Sequence, residues 1–150
     1  GSMDSPTSIE RLAGYKDALA QHSIALNEKL IANGKWTPAS GAEGVETLLE
    51  RGAKFSALVA SNDDMAIGAM KALHERGVAV PEQVSVIGFD DIAIAPYTVP
   101  ALSSVKIPVT EMIQEIIGRL IFMLDGGDFS PPKTFSGKLI RRDSLIAPSR

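Results

Sequence analysis

The residues of this chain best suited to chemistry are polar and sit directly after apolar runs. Ser61-Asn62-Asp63-Asp64 follows Phe55 to Ala60, and Phe89-Asp90-Asp91 follows Val84 to Gly88. If both runs are strands of one parallel sheet, Asn62, Asp63, Asp64, Asp90 and Asp91 lie at neighbouring carboxyl ends, where ligands of open α/β sheets bind. Such a set suits a ligand rich in hydroxyls. A carboxylate accepts hydrogen bonds from neighbouring OH groups, and an amide both donates and accepts. Arg11 adds a charged donor fork. Trp36, the only tryptophan, lies between Gly34 and Thr37-Pro38 and offers a flat apolar face to the C–H side of a sugar ring.

Each of these residues also has a plainer use. An Asn or Asp between strand and helix caps the helix, and Asp-Asp forms turns. A tryptophan is often half-buried packing, and an arginine on a helix is often solvated or ion-paired. The carboxylates Asp63, Asp64, Asp90 and Asp91 admit a magnesium site or a paired-carboxylate hydrolase. Nothing resembling a phosphate loop accompanies them, so no catalytic residue, metal ligand or cofactor is assigned. His22 and His74 fall near helix ends, where they complement the helix dipole.

Composition narrows the field. The chain has 150 residues, 45% of them hydrophobic and 22% charged, as in a soluble globular domain. A formal net charge of −3 argues against direct nucleic-acid binding. The absence of cysteine excludes disulfides, thiolate zinc sites and cysteine nucleophiles. No apolar run approaches the roughly 18 residues of a membrane span, and no signal peptide opens the chain, so a cytoplasmic, non-membrane protein is expected. Gly1-Ser2-Met3 reads as a cleavage scar, leaving 4–150 as the folded unit.

The elements that must position the polar clusters alternate between helix and strand. Apolar spacing after Ser5-Pro6 predicts a helix from Thr7 to Gln21, with Arg11 and Tyr15 on one face. Leu26 to Asn33 reads as extended, and Ser40 to Arg51 as a helix capped by Ser40 with Glu43 completing a capping box. Phe55 to Ala60 reads as a strand buried on both faces. A helix from Asp64 to Arg76 carries enough small residues (Ala66, Gly68, Ala69, Ala72) to pack closely on another surface. Val84 to Gly88 completes a βαβ unit. Leu102 to Ile107 reads as extended, and Pro108 opens a helix to Leu124 that is apolar over more than half its circumference, which implies a covering neighbour. After the Pro131-Pro132 loop, Thr134 to Arg142 reads as a final strand with alternating character.

Arg11-Leu12-Ala13-Gly14-Tyr15, the run Ala60 to Ala69, Pro81 to Asp91, and Leu102-Ser103-Ser104-Val105 together resemble the effector-binding core of the lactose/galactose-repressor family, in order and spacing over nearly the whole chain. The resemblance implies the C-terminal, parallel-sheet subdomain of a periplasmic-binding-protein-like sensor with flanking helices. A small effector, a sugar or a purine, sits in the cleft between two such subdomains. By position, Arg11, Asn62 and Asp90 look like the groups holding its hydroxyls, and Trp36 looks like its stacking aromatic. Residues Asp64 through Met70, with Asp64, Ile67 and Met70 foremost, and Tyr97 look like homodimer contacts.

The resemblance also implies that helix 109–124 normally packs in the other, N-terminal subdomain. Its apolar face is therefore expected to be covered by exchange between chains, by another copy, or by refolding onto this chain. The function so implied is effector sensing and dimerisation in a sugar-responsive bacterial repressor, with operator DNA reached only through an absent N-terminal domain. The solute-binding component of a sugar transporter shares the fold and is the alternative.

Overall fold

The computed structural model describes residues 1–2, 4–128, 131 and 133–147; Met3 and Pro132 lie outside the described residues. Four helices and four strands follow one another as α1 (Pro6–Gln21), α2 (Pro38–Glu50), β1 (Ala57–Val59), α3 (Asp63–Glu75), β2 (Ser85–Asp90), β3 (Ser103–Lys106), α4 (Val109–Leu124) and β4 (Lys138–Ile140). The strands form one sheet in the order β1-β2-β3-β4. β1 runs parallel to β2 with Leu58 opposite Val86, and β2 parallel to β3 with Gly88 opposite Ser104. β4 closes the edge antiparallel to β3, Leu139 facing Val105. This is an α/β fold with a mostly parallel sheet and flanking helices.

The core forms where α3 covers the centre of the sheet. Leu73, Ala66 and Val86 are fully buried, with Met65, Ala69, Met70 and Leu102 around them. The small residues of α3 explain how α2 reaches it. A Cβ added at Gly68 would lie 1.8 Å from the Pro38 carbonyl oxygen, and one at Gly41 would lie 2.0 Å from that of Met65. The two helices therefore meet backbone against backbone, and only glycine fits at those crossings.

Four local expectations are corrected. Residues 26–33 form no strand and hold only a short 3-10 turn, Glu28–Leu30, which Asn27 caps through its side chain. The cap of α2 is Thr37, whose Oγ1 accepts the Ser40 N–H while Ser40 Oγ accepts the Thr37 N–H at 3.3 Å. Pro38 takes the first helical position, where its missing N–H costs nothing, and this moves the start two residues upstream of Ser40. β1 is not buried on both faces: Val59 is 65% exposed. A hollow of about 810 Å³ lies beside it, lined by Leu12, Tyr15 and Leu19 of α1, by Val45 and Leu48 of α2 and by Val59. The last strand is three residues long, against the nine expected from its alternation.

Along α4 no residue is buried, and Ile113, Ile116, Ile117, Leu120, Ile121 and Phe122 are all about half exposed. The helix forms where its sequence predicts, and among the described residues no other helix or strand packs extensively on its apolar surface, although Gly127 lies against the Phe122 ring.

Candidate functional site

Asn62, at the end of the β1 loop, caps α3: its Oδ1 accepts the Met65 N–H at 3.0 Å. Its other end, Nδ2, donates to the Trp36 carbonyl at 3.2 Å. One amide therefore joins the start of α3 to the loop that carries the indole. Trp36 has φ 64°, left-handed backbone that is uncommon for a bulky side chain. The loop is braced further by the Lys35 N–H, which donates to Ser40 Oγ at 2.8 Å.

Arg11 projects from α1 into the same place. Its Nη1 donates to the Ser61 carbonyl, and its Nη2 donates to Asp90 Oδ1 at 3.3 Å. The guanidinium lies 3.8 Å from the Phe89 ring centroid and 5.5 Å from that of Trp36, a cation held between two aromatic faces. Arg11, Trp36, Asn62 and Asp90, from four separate stretches of chain, are thus brought together at the carboxyl ends of β1 and β2.

Asp90 stands at φ 108° and Asp91 at φ 57°, two successive residues in backbone that favours glycine. Burial pushes the Asp90 carboxyl above its ordinary range; the Arg11 charge opposes this, and Asp63 and Asp64 reinforce it. Its side chain retains 30% exposure, enough to meet a ligand from solvent.

The five-residue polar set divides in two. Asp63 is fully buried: Oδ1 accepts the Ser104 hydroxyl at 2.6 Å and Oδ2 the Ile92 N–H at 2.8 Å. Its carboxyl is raised by burial against the pull of those two donors. Asp91 is tied to Arg142 Nη2 at 2.7 Å, and Lys106 Nζ approaches its other oxygen at 3.9 Å. These two carboxylates serve the scaffold, whereas Asp90 stays partly exposed; Asn62 is itself buried at 9% exposure and spends its amide on the α3 cap and the Trp36 carbonyl. Sequence reasoning missed Phe89, which follows Gly88 in the strand and whose ring supports Arg11. It also missed Arg142, which only the pairing of β4 brings to Asp91.

The positions compared with a dimer face behave differently from one another. Tyr97 is 78% exposed, Asp64 and Ile67 are half-buried, and Met70 is packed in the core at 7% exposure. Among the described residues no group of three or more His, Asp or Glu is placed to hold a metal ion. No helix is long and apolar enough to cross a membrane. The hollow beside β1 is mostly apolar-lined, a poor match for a hydroxyl-rich ligand; the polar site lies at its rim, sharing Arg11 and Phe89.

Known proteins resemble this chain over nearly all of its length. Residues 1–145 match the periplasmic binding protein-like domain family. The chain is 99% identical over 150 residues to the HTH-type transcriptional regulator AscG of Escherichia coli (strain K12), covering all of this chain and 45% of that protein. It therefore spans less than half the length of this relative. The match includes Gly1 and Ser2, and the Gly1 carbonyl accepts the Gly34 N–H at 3.2 Å. Among solved structures, a sugar-binding transcriptional regulator of the LacI family from Escherichia coli, complexed with phosphate, superposes with a TM-score of 0.93 at 99% identity, over 99% of this chain and 53% of that one. A complex of the transcriptional regulator CelR with cellobiose superposes with a TM-score of 0.91 at 32% identity, over 97% of this chain and 45% of that one. These relatives are named as regulators, not as enzymes.

Proposed function

The chain belongs to the periplasmic binding protein-like domain family, as part of the effector-binding domain of a lactose/galactose-repressor-type regulator, and on that premise we propose that it senses a sugar and contributes to dimerisation in such a regulator. One observation carries the reading: Arg11, Trp36, Asn62 and Asp90 converge at two strand ends, where a cation, an aromatic face and a carboxylate meet in one small space and the buried Asn62 amide holds the Trp36 loop beside them. Vicinal hydroxyls suit Asp90 and Arg11, and the less polar face of a pyranose suits the indole. A relative solved with cellobiose supports a sugar as the effector class.

In this reading the effector closes the cleft between this subdomain and an N-terminal one, and the shift in population moves DNA-binding heads carried by the rest of the protein. The regulator acts in the cytoplasm on operator DNA. The transporter alternative is not favoured by relatives named as regulators. Asp64, Ile67, Met70 and Tyr97 form the contact with the second copy, Met70 adding little surface to it because it is 7% exposed in the single chain. The helix α4 packs with the N-terminal subdomain in the whole protein, or is covered by exchange between chains when this portion stands alone.

Half a cleft cannot desolvate a sugar, so the 150-residue chain is expected to bind one weakly or undetectably. Calorimetric titration with a panel of mono- and disaccharides, cellobiose included, tests both points. The full-length Escherichia coli relative should bind at least one member, and Asp90→Asn should weaken that binding about tenfold or more. Micromolar binding by the 150-residue chain alone, or an unaffected Asp90→Asn variant, would overturn the corresponding part.

A further inference from the structure

Asp90 needs an unusual backbone to face Arg11. Asp90 and Asp91 both have positive φ, 108° and 57°, with no glycine to relieve either. Such conformations persist where the surroundings over-determine them. Here the constraints come from four directions. The Asp91 N–H donates to Ser104 Oγ at 3.0 Å, and the same hydroxyl donates to buried Asp63 at 2.6 Å. Asp63 in turn accepts the Ile92 N–H at 2.8 Å, so the peptide N–H groups on either side of the Asp91 Cα are fixed to β3 and to the start of α3. The fourth constraint is ionic. Arg142, just beyond β4, donates Nη2 to Asp91 Oδ1 at 2.7 Å and Nη1 to the Leu102 carbonyl at 2.7 Å. Both charged side chains are largely sequestered, 17% exposed for Arg142 and 10% for Asp91.

We propose that Asp91 and Arg142 are positioning residues of the effector site: their ion pair holds the left-handed turn that aims the Asp90 carboxylate at Arg11. Neither residue borders the open space itself. Arg142 belongs to the segment that follows α4 and β4, so the pair ties the orientation of Asp90 to the far end of the chain. The inference rests on the reading of Asp90 as an effector ligand; the contact it explains is that of Arg11 with Asp90.

The test measures how strongly Arg11 acts on Asp90, by following the Asp90 side-chain carboxyl carbon through a pH titration in NMR spectra of the 150-residue chain. The charged groups around Asp90 are Arg11, Asp63, Asp64 and Lys106, its partner across the sheet, besides the Asp91–Arg142 pair. Removing any of them shifts the titration through space, so a double-substitution cycle is needed. Arg11→Met should raise the Asp90 midpoint in the wild-type background. In an Arg142→Met background the same substitution should shift it by less than half as much, because Asp90 no longer faces Arg11. Arg142→Lys, which keeps the charge, should restore more than half of the lost coupling. If Arg142→Met does not fold, Asp91→Asn runs the same cycle, since Asn tolerates the left-handed backbone. An undiminished Arg11 effect in the Arg142→Met or Asp91→Asn background overturns the proposal. Asp90→Asn in the full-length relative, titrated with cellobiose and the other sugars, tests the effector reading separately; its failure leaves the titration result standing.

Discussion

Asn62 and Trp36, 26 residues apart, are joined by one hydrogen bond: Asn62 Nδ2 donates to the Trp36 carbonyl at 3.2 Å. The same side chain caps α3 through Oδ1, so one residue performs the plain role and the site role together. Substitution can separate them. Asn62→Ala should lose both, at about 1 to 2 kcal/mol for the cap alone. Asn62→Asp keeps the acceptor for the Met65 N–H and adds a favourable charge at the helix start. It replaces the donor to Trp36 with an oxygen facing that carbonyl at a buried position, so it should also lose stability, by about 1 to 3 kcal/mol, and the indole fluorescence maximum should move in both variants. An indole maximum unmoved in either variant would show that Asn62 does not hold the Trp36 loop.

Asp63 gives a pH dependence with a definite sign. Burial raises its carboxyl above the ordinary value of 3.8, so the folded chain holds the proton more tightly than the unfolded chain. Its contribution to stability is therefore full below the unfolded value and declines as pH rises through the folded one. Protonation is accommodated because Ser104 Oγ can turn from donor to acceptor. Asp63→Asn titrates nowhere in this range; its Nδ2 donates to the turned Ser104 Oγ while its Oδ1 keeps the Ile92 N–H, so it serves as the pH-independent reference. Urea unfolding at successive pH values from about 4 to 7 should show wild-type stability declining relative to it as pH rises. A relative increase would mean that the two donors outweigh burial.

Much of this site was legible in the sequence, for identifiable reasons. Asn62 and Asp90 follow short apolar runs, and that local pattern alone sets them at strand ends. Their convergence with Arg11 and Trp36 came from resemblance, since no periodicity links residues so far apart. Two things were not legible. Asp63 and Asp91 have the same side chain as Asp90, and only the burial created by α3, β3 and the tail makes them internal. β1 has the composition of a covered strand, but the hollow beside it depends on what α1 and residues 26–33 leave unfilled. Local pattern encodes what a residue prefers and is silent about which neighbour is present.

The surface of α4 should govern how the isolated chain associates. Ile113, Ile116, Ile117, Leu120 and Ile121 are each about half exposed on one helix, a larger apolar patch than soluble monomers usually leave open. Sedimentation at rising concentration should show self-association, accompanied by binding of an apolar dye in the dilute chain. Ile116→Lys with Leu120→Lys should suppress both without lowering the unfolding temperature, since neither side chain supports the core. A clean monomer with no dye binding across the concentration range would defeat this expectation.

Two glycine-to-alanine substitutions should act with opposite sign. At Gly68 the new methyl would sit 1.8 Å from the Pro38 carbonyl oxygen, against backbone that cannot rotate away. α2 and α3 would have to separate, opening the packing around Met65 and Ala69, at about 1 to 3 kcal/mol or more. At Gly118 of α4 nothing lies within 4 Å of the added methyl. There alanine only restricts the unfolded chain and favours the helix, a gain of roughly 0.5 to 1 kcal/mol for α4 itself. Because α4 touches little else, that gain should appear as greater helix content in circular dichroism, with almost no change in the main unfolding midpoint. Gly68→Ala should instead lower the midpoint. A Gly68→Ala variant as stable as wild type would mean that the two helices do not meet backbone to backbone. The close crossing that places Asn62 at the start of α3 and Trp36 just before α2 would then need another explanation.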